Sequence, residues 1–294
     1  MTYSIVARDP ATGRLGVAVQ SHYLGVGPVV PWLAPGVGAI ATQARVDIAF
    51  GPIGLELLRN GRGAEQVVAA LLASAATPEA RQVGVVDTLG QAAAYTGTET
   101  IPAAGHLVGE GFTVQGNLLE RDTCWPAMAH AYQGALAEDL PFSERLLRAL
   151  EAAESEGGDV RGRQSSAIVI VEGSLQPNAW KGRVLDARVD DHPDTVPELR
   201  RIVNLYEAYA LFDPDQTDLG EAEAYAEARR RAPEAMELVF WMGIEHAKRG
   251  ELVEARRELA IAFAADSRWR TTLQHLADGS REGMSPEVAA ELID

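Results

Sequence analysis

Apolar and polar residues alternate from the start of the chain. "YSIVARD" reads as a strand, "PATGR" as a turn with Pro early and Gly late, and "LGVAVQS" as a second strand, together a β-hairpin. In "VVPWLAPGVGAIATQA" two short strands flank Ala34-Pro35-Gly36. The period then changes. "GPIGLELLRNGRGAEQVVAALLAS" spaces its apolar residues at i, i+3 and i+4 and predicts a helix, a Gly-rich break and a second helix. "RQVGVVDTLGQAAAYTG" predicts a hairpin turning at Asp87–Gly90, and "GEGFTVQGNLL" a further strand. "CWPAMAHAYQGALAEDLPFSERLLRALEAAESEGG" predicts a helical pair broken near Leu140-Pro141, before a continuous apolar strand in "SSAIVIVEG".

Groups of strands therefore alternate with paired helices. That order predicts an α+β fold, a four-layer αββα sandwich of two antiparallel sheets, and not a doubly wound parallel sheet. Beyond about residue 190 the pattern is almost entirely helical. The polar, proline-containing "VDDHPDTVPE" (189–198) marks the boundary between an αββα domain over 1–190 and a small all-α helical-repeat domain over 191–294. Within the latter, "ELVFWMGIEHAKRGELVEARRELAIAFAAD" (237–266) matches the tetratricopeptide pattern. Gly243 takes the small position of the first helix, Gly250 the turn, and Ala255 and Ala262 the close-packing positions of the second. Such repeats bind partners or dock on their own neighbour, so the tail is expected to serve a protein or cell-wall partner or to act as a lid or dimerisation arm. A homodimer is the expected assembly.

Composition narrows the function classes. No apolar run approaches the roughly 20 residues of a membrane span, and no basic segment precedes an apolar one as in a signal peptide. A cytoplasmic location is the expectation. The net charge of −16, with 22 acidic and 12 basic residues after position 190, disfavours nucleic acid and anionic membrane as partners. A single cysteine, Cys124, excludes an internal disulfide framework and a cysteine-based zinc site. The six histidines show no metal-like spacing, and Gly36-x-Gly38 lacks the helix and acidic residue of a dinucleotide site, so neither metal nor cofactor is expected. Only Lys181 and Lys248 carry an amine side chain.

Five stretches, "MTYSIVARDPATGRLGVAVQSH", "VVPWLAPGVGAIATQA", "RQVGVVD…GQAAAYTG", "AGHLVGEGFTVQGN" and "GGDVRGRQSSA", together resemble a bacterial family of unknown function within the N-terminal-nucleophile (Ntn) hydrolase superfamily. The resemblance covers about residues 1–190. It implies the αββα fold of proteasome subunits and related amidohydrolases, and a C-terminal module labelled peptidoglycan-binding. It also implies Thr2 as nucleophile once Met1 is removed, with its own α-amine as general base and a small amide or peptide-like substrate. An α-amine titrates near pH 8, within reach of neutrality. Asp159 and Ser165 carry over as supports of the nucleophile, and Thr42 and Gln43 stand where oxyanion donors lie. The acidic residue expected at the end of the second strand falls on Gln20, and the expected lysine falls near Val29.

The residues themselves add candidates. Thr2 and Ser4 share one face of their strand, and Ser21 lies at a same-face spacing on the next. The polar cluster "GDVRGRQSSA" (158–167) contributes Arg161, whose fork suits a substrate carboxylate, and Gln164. His106 and Asn117 fall in Gly-rich turns, where a His can titrate near neutrality. Three readings stay open: an Ntn amidohydrolase, a catalytically silent Ntn-fold binding or assembly protein, and a hydrolase using an internal Ser or His106.

Overall fold

The computed structural model describes residues 2–212 and 217–293, and Met1 lies outside the described residues. The chain divides into two compact units, Met1–Arg200 and Arg201–Asp294.

Unit 1 is a mixed α/β sandwich. Ten strands form it: β1 (Thr2–Arg8), β2 (Leu15–Ser21), β3 (Pro31–Ala34), β4 (Gly38–Ala44), β5 (Arg81–Asp87), β6 (Ala92–Thr96), β7 (Gly105–Gly109), β8 (Phe112–Asn117), β9 (Ser165–Val171) and β10 (Arg183–Val189). They make a six-stranded sheet ordered β10-β9-β2-β1-β8-β7 and a four-stranded sheet ordered β3-β4-β5-β6, with antiparallel neighbours. Helices α1 (Phe50–Arg59) and α2 (Ala64–Ser74) cover the outer face of the small sheet, and α3 (Cys124–Ala137) and α4 (Phe142–Ser155) that of the large one. The strands β7 and β10 are missing from the sequence reading. Both are edge strands, each with one neighbour, and their burial alternates because only one face is covered.

The central strands are buried on both faces, so β1 and β2 read as near-continuous apolar runs. Register divides each strand cleanly. Val6, Val17, Val19, Val169, Ala39, Ala41 and Val86 meet between the sheets. On the other side of the small sheet Ile40, Val83 and Val85 pack against Phe50, Leu58, Val67 and Leu71 of α1 and α2. Gly16 carries no side chain because a Cβ there would fall 2.7 Å from Leu146 and 2.9 Å from Phe142, so α4 sits directly on β2.

The described residues of unit 2 form helices and the turns between them. Its helices α6 (Glu221–Arg231), α7 (Met236–Lys248), α8 (Leu252–Ala265), α9 (Arg268–Asp278) and α10 (Pro286–Ile293) follow α5 (Thr195–Ala210). Val239, Phe240, Ile244, Ala255, Leu259 and Phe263 form its core, with the Phe240 and Trp269 rings stacked 4.9 Å apart. A Cβ on Gly243 would stand 2.7 Å from Leu259, so glycine lets α7 and α8 approach closely.

One buried ion pair pins the β1–β2 turn to the head of α4. Arg145 Nη1 donates to Asp9 Oδ1 at 2.9 Å, and both side chains are almost fully buried. Burial alone would raise the Asp9 pKa, but hydrogen bonds from the Thr12 hydroxyl and Arg145 outweigh it and hold the carboxyl below its ordinary value. Asp9→Asn removes the buried carboxylate and leaves Arg145 with only the exposed Asp139 carboxylate, 3.8 Å away, so it is expected to lower stability by about 3 kcal/mol at neutral pH. A carboxyl with a depressed folded-state pKa stabilises above the unfolded value, about 3.9, and loses that contribution as pH falls through the folded one. Chemical denaturation should therefore show a wild-type advantage over Asp9→Asn that is constant from pH 5 to 8 and shrinks below about pH 4.

Candidate functional site

The inter-sheet face of each strand changes character at one end of the sandwich. Valines and alanines fill the layer along most of its length. At the end where β1 begins and β2, β4 and β8 finish, the same face carries Thr2, Ser4, Ser21, Gln43, Gln82, Gln115 and Asn117. All are buried. The register puts Thr2 opposite both Ser21 and Asn117, because Tyr3 pairs with Gln20 and Thr2 with Asn117.

A connected hydrogen-bond network follows. The Thr2 and Ser21 hydroxyls lie 3.0 Å apart. The Ser4 hydroxyl donates to Gln43 Oε1 at 2.6 Å and accepts from Gln115 Nε2 at 2.6 Å. Gln43 Nε2 and Asn117 Nδ2 both donate to Gln82 Oε1, each at 2.8 Å, and both also approach the Thr2 carbonyl, at 3.2 and 3.4 Å. Gln82 Nε2 in turn donates to the Gly116 carbonyl at 2.8 Å, to Thr96 Oγ1 at 2.9 Å and to the Gly105 carbonyl at 3.1 Å. Gln82 thus joins the two sheets and fixes the orientation of both amides that hold the Thr2 carbonyl. The backbone just beyond is strained. Ala44 and Leu118, the residues after Gln43 and Asn117, take positive φ angles of 66° and 53°, which L residues adopt at some energetic expense.

A second polar group lies beside the first. Asp159 accepts from the backbone N–H of His22 at 3.0 Å and of Arg161 at 2.9 Å, and pairs with the Arg161 guanidinium at 3.3 Å. Its carboxylate therefore ties the β2–β3 loop to the turn before β9. Ser165 begins β9, donates to the Tyr23 carbonyl and accepts from the Val26 N–H at 3.0 Å. On the helix side of β1 the Tyr3 hydroxyl donates to Glu154 of α4, which also pairs with Arg163. Burial first, then the Glu154 carboxylate, push the Tyr3 pKa far up and keep the phenol neutral.

Several sequence expectations change here. Gln20, where the resemblance led to an acidic residue being expected, faces the helices beside Tyr3, and its neighbour Ser21 is the residue that meets Thr2. Thr42 and Gln43 are not spare oxyanion donors. The Thr42 N–H is bonded to the Val30 carbonyl at 3.2 Å and its hydroxyl to the Asp47 carbonyl at 3.2 Å, while the Gln43 amide is taken by Thr2 and Gln82. Gln164 turns toward the loop after β10, where its amide donates to Asp191 at 3.2 Å, and so does not join Thr2. His106 and Asn117 lie on β7 and β8 and not in turns. Gln82, Gln115 and Thr96 were missed altogether. The signal for the two glutamines was an amide at an inward position of a strand, but only long-range pairing shows which positions point inward. Among the described residues no group of His, Cys, Asp and Glu is placed to hold a metal ion.

The sequence profile of a family of unknown function, DUF1028, matches residues 2–199. The chain belongs to the DUF1028 family. A DUF1028 crystal structure, protein SPO2555 from Silicibacter pomeroyi, is 31% identical to it, covers 71% of this chain and 89% of its own, and superposes with a TM-score of 0.62. Anbu (ancestral beta-subunit) from Yersinia bercovieri, at 10% identity, covers 74% of this chain and 100% of its own with a TM-score of 0.35. An Anbu (Gly-1) mutant from Hyphomicrobium sp. strain MC1 gives 0.34 at 10% identity and the same coverages. Likeness at that level carries no argument about the DUF1028 chain. No curated protein sequence matches it significantly. The DUF1028 region contains the whole polar rim, from Thr2 to Ser165.

If Gln82 is the joint of this rim, its loss should be felt in stability. Gln82→Leu strands the amide protons of Gln43 and Asn117 in a buried layer and should cost about 2–4 kcal/mol. Gln91→Leu, at an exposed position, should change stability by less than about 0.5 kcal/mol. Urea denaturation of the two variants decides the matter, and equal midpoints would refute the role given to Gln82.

Proposed function

We infer that this DUF1028 chain is an Ntn-type amidohydrolase acting on a small amide or peptide-like bond, with Thr2 as its nucleophile. The observation that supports this most is the setting of Thr2. It heads a central strand, its hydroxyl lies 3.0 Å from the Ser21 hydroxyl, and its carbonyl is held by the Gln43 and Asn117 amides. Removal of Met1 would free the Thr2 α-amine. The amine takes the hydroxyl proton as Oγ1 attacks the substrate carbonyl, and the C–N bond then breaks as that proton passes to the departing amine. Water, activated by the same amine, hydrolyses the resulting ester and restores the hydroxyl. Lys181 is exposed and lies beyond the far end of β9 from Ser165, so this mechanism takes no help from that lysine and relies on the amine and the Ser21 hydroxyl.

A specific observation favours a second reading. The amides that could greet a substrate are bonded to one another, and Asp159 is engaged by a loop and an arginine. In that reading the protein is a catalytically silent Ntn-fold binding protein, and the helical unit, read as tetratricopeptide-like repeats, serves a protein or cell-wall partner or a second copy.

With a panel of small N-acyl amides, Thr2→Ala should reduce turnover about a thousandfold or more, and Thr2→Ser should retain part of it. Intact mass of the active protein from its own host should lack Met1. Turnover by a chain that keeps Met1 contradicts the N-terminal mechanism. Absence of turnover from a chain shown to begin at Thr2 supports the silent reading.

A further inference from the structure

The polar network does not stop at Gln82. Thr96 Oγ1, which accepts from Gln82 Nε2, lies 2.8 Å from Nδ1 of His106. The first step of this path has a set direction. Gln82 Oε1 already receives two amide donors, so its Nε2 must be the donor to Thr96. The single proton of the Thr96 hydroxyl then goes to His106 Nδ1. In that arrangement the Thr96 hydroxyl both accepts and donates within the network. The network therefore assigns the His106 tautomer: Nδ1 accepts and Nε2 carries the proton. No described residue accepts from Nε2.

His106 lines a cavity of about 510 Å³ together with Thr96, Thr98, Gly105 and Trp125. Among the described residues its wall holds no charged side chain. The Trp125 indole rests on the backbone of Gly105, where a Cβ would fall 2.4 Å from Cζ2. Glycine at that position thus admits the ring to the wall. The cavity is on the same rim as Thr2, since Gly105 pairs with Gly116, the neighbour of Asn117. Burial of part of the ring lowers the His106 pKa from its ordinary value, in the direction that favours the neutral imidazole.

We propose that this cavity is a binding site for a small, neutral, flat molecule that presents a carbonyl oxygen, a carboxamide, to the His106 Nε2–H and its apolar face to Trp125. The donor fixed by the network selects an acceptor, and a wall without charge gives an ion no compensation for leaving water. The site stands whether or not Thr2 is a nucleophile.

Benzamide, benzoate and benzylamine are the probes, and NMR of the full-length chain with labelled His and Trp is the readout. His106 should be found as the Nε2–H tautomer. Benzamide should shift the His106 and Trp125 signals saturably, and benzoate and benzylamine should do so at least about tenfold more weakly. His106→Phe should weaken benzamide binding about tenfold, the loss of one hydrogen bond, and Thr2→Ala should leave it unchanged. Should His106→Phe fail to fold, Trp125→Leu replaces it, with the same expected loss. An Nδ1–H tautomer, benzoate binding as tightly as benzamide, or no saturable shift at either residue overturns the proposal.

Discussion

A buried carboxamide has to spend every donor and acceptor it owns, and the rim of this sandwich is organised by how Gln82 does so. Its oxygen takes protons from one amide on its own sheet and one on the other. Its nitrogen reaches two backbone carbonyls and a hydroxyl. A valine there would have extended the apolar layer and left the rim as ordinary core. Because it is a glutamine, the orientations of Gln43 and Asn117 are fixed, and through them the position of the Thr2 carbonyl. The stiffness of the site is thus a consequence of hydrogen-bond economy between two sheets.

The layer between the sheets has two halves made by the same strands. Val6 follows Thr2 and Ser4 on one face of β1, Val17 and Val19 precede Ser21 on β2, and Ala39 and Ala41 precede Gln43 on β4. The apolar half supplies the burial that holds the sheets together. The polar half is buried, so each of its groups is bound to another protein group or pays a desolvation penalty. Thr113 Oγ1 and Gln115 Oε1 are the exceptions. Both are buried without a hydrogen-bond partner, and each lies 2.4 Å from where a Cβ of Gly84 would be, so β5 needs glycine at that position.

Much of the architecture was legible in the sequence because it rests on local period. The first hairpin, the paired helices and the apolar strand after the 158–164 turn follow from spacing alone. The edge strands β7 and β10 were not legible, since a strand covered on one face and paired on one side leaves a weak pattern. The candidate site was legible only in part. Thr2 and Ser4 share a face by simple alternation, but whether Gln20 or Ser21 meets Thr2 depends on the register between β1 and β2, and a slip of one residue reverses the answer. Gln82 and Thr96 sit in a hairpin that reads as plain sheet, and only its pairing across the sandwich gives them a role.

We propose that this rim presents Thr2 as a nucleophile. The most direct measurement is to treat the protein with a strained acylating probe such as a β-lactone and map the adduct by peptide mass spectrometry. The account predicts a single stoichiometric ester on Thr2, formed only in chains that begin there. An adduct on Ser4, Ser21 or Ser165, or equal labelling of chains that keep Met1, would contradict it.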